Sequence, residues 1–452
     1  MNELKQKYGL FTAIAMVVGI VIGSGVFFKA EKVLSTTGGN LPLGIGAWLF
    51  GGLIVLVCAY TFAILATRYL KVNGVVDYAE NMIGKKYAYF MGWFMAFIYY
   101  PSLTSVLAWV SARYAGVLFG FDIVGPQVMV IAFVFMIALY ALNTLSPIIA
   151  GKFQVSTTVI KLIPLVLTAI VGLIAGLSNG LTIENFNTFS IVPEGGYVVA
   201  FFTAVAACAF AYDGWIIATS INAELKNPKK NLPIALTLGM IIVIVVYILY
   251  YTGLAGGATN ADMMANGEAG AKLAFNNLFG SFGGTALMVV VVISCLGTLN
   301  GLMVATTRSI YSLSARGTGP KPEMFGKLDE YTNMPTNSSV VGLLVAALWL
   351  MFFYGANLTD NWFGPLAFDS SELSIVSIYA LYIPIFVMMM KKEKDLHPVK
   401  RFLVPALSIL GCLFMVVALV VSHGWTPTIA FIIIGGIIML LSIPFYKKKN
   451  IQ

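Results

Sequence analysis

The sequence predicts an all-α integral membrane protein with twelve transmembrane helices, and three observations support this fold class. First, 59% of the 452 residues are hydrophobic and only 10% are charged, whereas about a quarter of the residues are charged in soluble domains. Second, twelve apolar runs reach the roughly 20 residues that a membrane-spanning helix needs. Third, the basic residues lie in the short gaps between these runs, where membrane topology places them.

The predicted spans follow one another with short connections. They cover residues 9–29, 42–66, 87–117, 126–146, 153–177, 197–220, 233–256, 281–312, 337–354, 371–390, 402–422 and 426–446. The longest loop, residues 257–280, contains an amphipathic stretch from Ala269 to Leu278. Because no stretch indicates an appended soluble domain, we expect residues 1–452 to form a single membrane domain.

The distribution of lysine and arginine predicts the orientation of the chain. With twelve spans, 22 of the 27 basic residues fall on the side of the amino terminus, and Lys161 falls inside the membrane. The opposite side keeps only four, which are Lys29, Lys32, Arg113 and Lys272. The positive-inside rule therefore places both termini in the cytoplasm, and an odd number of spans would put the basic tail on the wrong side.

Several functional classes are excluded by the sequence. The net charge of +8 is spread over loops rather than gathered in one basic patch, which argues against nucleic-acid binding. The first apolar run lacks the short core and cleavage site of a signal peptide, so we expect it to be retained. Four cysteines inside apolar runs suggest buried thiols rather than a disulfide or a metal site. No enzyme motif occurs in a plausible context, and no cofactor is expected.

The first span contains a sequence that weakens a helix at mid-membrane. In Gly19-Ile20-Val21-Ile22-Gly23-Ser24-Gly25, two glycines flank a serine, and glycine lowers helix stability. Unwound backbone at that depth is tolerated only where it lines a protected or watered cavity. The alternative interpretation is close helix packing through small residues.

The sixth span has a similar interruption at Phe210-Ala211-Tyr212-Asp213-Gly214-Trp215. Asp213 is one of very few acidic residues inside any span, and an ionisable residue at this depth is a functional hypothesis. A structural role for Asp213, capping a broken helix or pairing with a base, is favoured over direct contact with a substrate.

The two interruptions together predict an inverted-repeat transporter, because they open two five-span halves at corresponding positions. The halves are residues 9–177 and 197–390, and residues 402–446 supply two further helices. The half-helix that starts at Gly25 directs its amino end to the midplane, where its N–H groups can bind a carboxylate. Carbonyl groups at the end of the first half-helix and around Phe210 to Tyr212 can bind an ammonium group. This arrangement suits both charged groups of an α-amino acid.

Lys161 lies well inside the fifth span, within Thr157-Thr158-Val159-Ile160-Lys161. An ammonium at this depth must find acceptors. We expect Lys161 to bind both the carbonyls around Val18 and Gly19 of span one and Ser294 of span eight, with Tyr247 of span seven assisting. The alternative is that Lys161 lies nearer an interface. Span eight, Ser294-Cys295-Leu296-Gly297-Thr298-Leu299-Asn300-Gly301, is rich in small and polar residues and either lines a polar path or packs closely.

These motifs carry a family resemblance. They are Ile22 to Phe27, Phe210 to Trp215, Glu224 to Pro228, Lys161, and Gly297 to Gly301 with Arg308. In these stretches the sequence resembles the amino acid–polyamine–organocation (APC) superfamily. Within it, the sequence is most similar to the L-type amino acid transporter branch with its bacterial serine/threonine and alanine/serine/cysteine exchangers. Spans nine to twelve match only in length and hydropathy.

The resemblance implies a LeuT-like fold of five plus five inverted repeats with two extra helices, and sodium-independent exchange by alternating access. It implies a carboxylate site at Ser24 and Gly25, with Gly23 and the carbonyls of Ile20 and Val21 nearby for the ammonium. It makes Phe210, beside Ala211 and Tyr212, a gate over the substrate. It makes Lys161 a substitute for a sodium ion, linking spans one and eight.

The resemblance also bears on partners and substrates. Human members of the branch join a glycoprotein through a cysteine between spans three and four, and the corresponding loop, Phe119 to Gly125, has none. We therefore expect no covalent heavy-chain partner. The expected function is exchange of small neutral L-amino acids (alanine, serine, threonine and cysteine) across a bacterial plasma membrane. A proton-coupled symporter, in which Lys161 or Asp213 titrates, and a non-transporting receptor or scaffold are the alternatives.

Overall fold

A computed structural model describes residues 9–69, 74–188, 191–216, 225–267, 269–332 and 334–446, without the side chain of Phe28. This part of the chain is helical and contains no strand. Its α-helices are α1 (Leu10–Val21), α2 (Gly25–Thr36), α3 (Leu41–Arg68), α4 (Val75–Met82), α5 (Lys85–Phe94), α6 (Tyr100–Phe119), α7 (Pro126–Leu145), α8 (Pro147–Ile160), α9 (Leu162–Ser178), α10 (Leu181–Asn187), α11 (Gly196–Ala211), α12 (Pro228–Leu254), α13 (Asn260–Asn266), α14 (Ala269–Ser314), α15 (Pro322–Phe325), α16 (Thr336–Asn357), α17 (Ser370–Lys392), α18 (Val404–His423) and α19 (Trp425–Leu440).

The helices agree with the predicted spans in position. In the described residues, ten helical segments are long and apolar enough to cross a membrane, and the bent pair of α1 and α2 makes eleven. The predicted span 197–220 corresponds to α11, a shorter apolar helix of 16 residues. Its last four residues, 217–220, lie outside the described part, as does Glu224 of the family motif. The structure therefore supports a multi-span helical protein with about ten or eleven spans on these criteria.

The chain forms two compact units. The first consists of Met1–Gly84, Lys161–Val291 and Val376–Ser422, and the second of Lys85–Ile160, Val292–Ile375 and His423–Gln452. Neither unit is continuous in sequence. Three of the boundaries fall within helices α14, α17 and α18, and the other two fall between helices. Each unit is therefore held together by contacts between distant parts of the chain.

In the first unit, α9 and α12 cross closely because glycines line their contact. A Cβ atom on Gly172 would lie 2.1 Å from the carbonyl oxygen of Gly253. A Cβ atom on Gly256 would lie 1.9 Å from the carbonyl oxygen of Gly172. Small residues allow this approach in membranes, where van der Waals packing rather than hydrophobicity drives association between helices.

The first unit also contains an aromatic cluster that supports the region of the helix breaks. The Trp48 ring centroid lies 5.8 Å from that of Tyr212 and 5.5 Å from that of Tyr247, both in edge-to-face arrangements. The Tyr212 hydroxyl donates to the carbonyl oxygen of Trp48 at 2.9 Å, so its polar atom is satisfied. The cluster fixes α11 and α12 against α3.

In the second unit, buried amide side chains link three helices. Asn143 Nδ2 donates to Asn300 Oδ1 at 2.8 Å, and Asn300 Nδ2 donates to Gln154 Oε1 at 2.8 Å. One turn along, a Cβ atom on Gly297 would lie 2.3 Å from Thr157 Oγ1, so α8 and α14 touch at a glycine. The small and polar residues predicted in span eight therefore serve helix packing here.

Two differences from the sequence-based expectations concern the ends of spans. The first span continues to Thr36 rather than ending at residue 29, so Lys29 is not in an outer loop but is buried, at 2% exposure. The amphipathic stretch from Ala269 to Leu278 forms the start of α14, which contains a left-handed residue at Gly280 (φ 73°). Glycine allows that conformation without a steric penalty, so the amphipathic turns can leave the axis of the apolar span.

The glycine contact between α9 and α12 generates a stability prediction. Gly172→Ala should lower the melting temperature of the purified protein by several degrees, because overpacking a tight contact costs about 1–3 kcal/mol. Gly436→Ala, in α19, is the matched control, since a Cβ atom there meets nothing within 4 Å. Equal melting temperatures for the two variants, measured by thermal unfolding in detergent, would contradict the close crossing.

Candidate substrate-binding site

The first helix break separates α1 from α2. The pair is bent by 46°, and residues 22–24 between them are not helical. The N–H group of Ile22 donates to the carbonyl oxygen of Val18 at 2.8 Å and closes the last turn of α1. Every residue from Val21 to Phe27 is buried, so the interruption is enclosed by protein and not exposed to lipid.

Gly25 brings the start of α2 against the end of α11. A Cβ atom on Gly25 would lie 2.7 Å from Ala211 Cα and 3.3 Å from the carbonyl oxygen of Phe210. No other residue fits this position without moving one of the two helices. The amino end of α2 and the carboxyl end of α11 therefore meet at one place, with the N–H groups of the one beside the carbonyl groups of the other.

The second break begins where α11 ends at Ala211. The chain turns through Tyr212 to Ile216, and the Tyr212 N–H donates to the carbonyl oxygen of Cys208 at 3.1 Å. Gly214 takes a φ of +98°, which favours glycine, and a Cβ atom there would lie 3.4 Å from the carbonyl oxygen of Ile20. The structure thus brings together the predicted site residues on the two breaks.

Tyr247 connects the two breaks. Its hydroxyl oxygen lies 3.1 Å from the carbonyl oxygen of Val21 and 2.9 Å from that of Ala211, in each case the last residue of a helix. Both carbonyls have lost helical partners at these ends. The side chain is fully buried, and its one O–H group can donate to either of these carbonyl oxygens. The sequence predicts only an assisting role for Tyr247 beside Lys161. In the structure its hydroxyl lies instead at the ends of both α1 and α11.

Lys161 occupies the junction between α8 and α9 and is 4% exposed. Its Nζ atom donates to the carbonyl oxygen of Gly19 at 2.5 Å, in the last turns of α1. Its other expected partner, Ser294, belongs to the second unit, where the side chain is buried and its hydroxyl has no hydrogen-bond partner among the described residues. The link from Lys161 to Ser294 stays a prediction.

Phe210 lies at the last turn of α11 and is 7% exposed. The Lys29 ammonium lies 5.0 Å from the centroid of its ring, within the range of a cation–π interaction. The sequence predicts Lys29 on the outer side, at the end of span one, and gives no direct sign of this contact. Its spacing of four residues from Gly25, which puts both on one face of α2, is the signal that could have revealed it.

Asp213 follows Phe210 by three residues and is half-buried. Its N–H donates to the carbonyl oxygen of Phe210 at 3.3 Å. No group of three or more histidine, cysteine or acidic residues that could hold a metal ion occurs in the described part of the chain. The polar groups gathered at the breaks are therefore mainly backbone groups with a lysine, a tyrosine and one carboxylate nearby.

Comparisons with known proteins agree with this arrangement. The amino acid permease family matches residues 8–440. The chain is 29% identical to the serine/threonine exchanger SteT of Bacillus subtilis (strain 168), over 99% of this chain and 98% of that protein. It is 27% identical to the glutamate/serine transporter AimA of the same organism, over 100% of this chain and 83% of that protein. It is 26% identical to the human cystine/glutamate transporter, over 95% of this chain and 83% of that protein.

The family match covers nearly the whole chain. Each relative named is a transporter or exchanger, and the alignment covers at least 83% of its length. Long apolar helices account for the membrane, and nothing in the family or its relatives indicates an enzyme. The chain therefore belongs to the amino acid permease family of the APC superfamily and is a multi-pass membrane protein that transports amino acids.

Proposed function

We propose that this chain is a sodium-independent exchanger of small neutral L-amino acids, namely alanine, serine, threonine and cysteine. It works by alternating access in the plasma membrane of a bacterium, with both termini in the cytoplasm and no covalent heavy-chain partner. Its architecture is twelve spans arranged as two inverted five-span repeats and two extra helices. The observation that carries the proposal is the meeting of the two helix breaks at Gly25 and Ala211.

The substrate carboxylate binds at the amino end of α2. The N–H groups of the first turn of a helix have no helical acceptors and carry a partial positive charge. Ser24 and Gly25 stand at this end with Gly23 before them, and they are buried from water. A carboxylate can therefore gain several charge-assisted hydrogen bonds there, and these are stronger in a site of low dielectric constant.

The substrate ammonium binds to carbonyl oxygens at the ends of α1 and α11. Ile20 and Val21 supply them from α1, and Phe210 and Ala211 from α11. Two of these oxygens lie near the Tyr247 hydroxyl, but each carbonyl oxygen has two lone pairs and can accept a second hydrogen. The ring of Phe210 closes the site as a gate.

The Lys161 ammonium supports exchange without sodium. By resemblance, a sodium ion occupies a comparable position in other transporters of the fold. Here the Lys161 ammonium, which donates to the carbonyl oxygen of Gly19, is itself the cation beside α1. A cation that belongs to the protein is consistent with exchange, because no ion has to bind or leave in each cycle. The relative SteT is named as an exchanger of serine and threonine, which supports exchange as the mode of transport and small neutral amino acids as the substrates.

A proton-coupled symporter of the same fold is the second candidate, and the half-buried Asp213 favours it. A carboxylate inside a membrane span commonly marks a proton relay. The two mechanisms differ in what drives efflux of internal substrate. An exchanger requires an amino acid on the other side, whereas a symporter responds to a pH gradient.

The proposed exchange predicts the behaviour of proteoliposomes loaded with labelled alanine. External serine or alanine should accelerate release of the label strongly, and a pH gradient alone should not, in choline buffer without sodium. Competition by all twenty amino acids on the same preparation measures the substrate range. Release driven by a pH gradient without external amino acid would favour symport, and a steep sodium requirement would contradict the role of Lys161.

Lys161→Ala should reduce the exchange rate by about tenfold or more, because an unpaired buried carbonyl at Gly19 costs about 1–3 kcal/mol. The protein should still fold and insert, since the span stays apolar. Lys152→Ala on the neighbouring helix α8, where the side chain is exposed, is the matched control and should exchange at the parental rate. Parental exchange by Lys161→Ala, at equal amounts of reconstituted protein, would remove the surrogate-cation role.

A further inference from the structure

The second unit contains an apolar groove, here called the aromatic groove, with a volume of about 590 Å³. Helices α5, α14, α16 and α19 contribute to it, together with the segment around α15 and the π-helical turn after α5. Its lining is almost entirely hydrocarbon: Trp93, Phe97, Ile310, Pro320, Phe325, Val341, Val345, Leu348, Trp349, Phe352, Ile434, Ile438, Leu441 and Phe445. All of these residues belong to the second unit, so the groove is separate from the helix breaks described above.

The groove presents no polar atom of its tryptophans to an occupant. Trp93 Nε1 donates to the carbonyl oxygen of Ile438 at 3.0 Å, and Trp349 Nε1 donates to that of Phe97 at 2.8 Å. Leu348 and Leu441 on its border are 61% and 59% exposed, so the groove has an open side. An occupant must therefore be apolar along the groove and must enter from the surface of the protein.

The groove has the length of one leaflet of the bilayer. Its lining on α16 runs from Val341 to Phe352, and at 1.5 Å per residue this distance is about 16 Å. Half of a hydrocarbon core of about 30 Å is about 15 Å. A single acyl chain of a phospholipid matches this length.

The end of the groove near Pro320 and Phe325 is surrounded by basic residues. Lys85 and Lys86 at the start of α5 are exposed, and exposed Lys321 follows Pro320 directly. The ring of Tyr446 packs 5.1 Å from that of Tyr89 on α5, and the sequence continues from Tyr446 with Lys447, Lys448 and Lys449. Among acidic residues, Glu323 is two positions from Phe325 in the same segment. The positive-inside rule predicts that this end faces the cytoplasm.

We propose that the aromatic groove binds one acyl chain of an anionic phospholipid of the cytoplasmic leaflet. The chain lies along α16 between the rings of Trp93 and Trp349. The phosphate lies at the basic rim, where Lys85, Lys86 and Lys321 interact with it. Basic clusters between membrane helices at the cytoplasmic side are suited to anionic headgroups. The apolar groove and the basic rim together favour phosphatidylglycerol over a zwitterionic lipid of the same chain length.

Tryptophan fluorescence of the full-length protein in vesicles tests the proposal, because brominated acyl chains quench tryptophans that they touch. The probes are phosphatidylglycerol and phosphatidylcholine brominated on the same acyl chain, each mixed into unbrominated phosphatidylcholine at equal mole fractions. Phosphatidylglycerol should quench at a mole fraction at least about fivefold lower, because even one of the three lysines near the surface supplies that preference. Lys85→Gln with Lys86→Gln should reduce this preference without reducing quenching by phosphatidylcholine.

The groove is tested separately by filling it. The double variant Val341→Phe with Val345→Phe should abolish the difference in quenching between the two lipids. The control is Val340→Phe, on the same helix but outside the lining and 43% exposed, which should leave this difference unchanged. Equal quenching by both lipids in the parent, or an unchanged preference after filling, would overturn the proposal. A second copy of the chain as occupant would make quenching by the two lipids equal and would change the oligomeric state on filling, which would overturn it as well.

Discussion

The structure depends on the need to satisfy backbone groups where two helices stop inside the membrane. In hydrocarbon, an unpaired carbonyl or N–H group has no water to bind, so a break is possible only where other protein groups supply partners. At the carboxyl end of α1, Lys161 serves Gly19 and Tyr247 serves Val21. The Tyr247 hydroxyl also lies within hydrogen-bond distance of the carbonyl oxygen of Ala211 at the end of α11. These two side chains stabilise the interruptions, and neither occupies the amino end of α2, where we propose that the carboxylate binds.

The same constraint connects packing to function. Gly25 allows α2 to approach Ala211, and Gly214 allows the turn after α11 to approach Ile20, so that the two breaks meet instead of standing apart. The aromatic cluster of Trp48, Tyr212 and Tyr247 then fixes the region from the side. Because Tyr247 contacts the ends of both interrupted helices, a movement of one helix end changes the environment of the other. The alternating-access mechanism proposed above requires such coupling at its binding site.

Much of the fold could be predicted because its signals are local. Apolar length located the spans, and the glycines around Ser24 and at Gly214 located the breaks, since both depend on neighbouring residues only. The partners at the breaks are not local: Tyr247 and Val21 are 226 residues apart, and Lys161 and Gly19 are 142 apart. The contact of Lys161 with α1 could be predicted because a charge at mid-span needs a partner. A tyrosine in a span has no such need, so the contacts of Tyr247 could not be predicted. The burial of Lys29 could not be predicted, because a lysine at the end of an apolar run is normally placed at the membrane edge. In the structure its ammonium lies beside the ring of Phe210.

A structure determined with bound L-alanine would show whether the two helix ends bind the charged groups of an amino acid. The α-carboxylate should lie within hydrogen-bond distance of the N–H groups at Ser24 and Gly25. The ammonium should face carbonyl oxygens of Ile20, Val21 or Phe210, with Tyr247 and Lys161 in the contacts described above. A structure in which α1 and α2 form one continuous helix, or in which alanine binds away from both breaks, would contradict it.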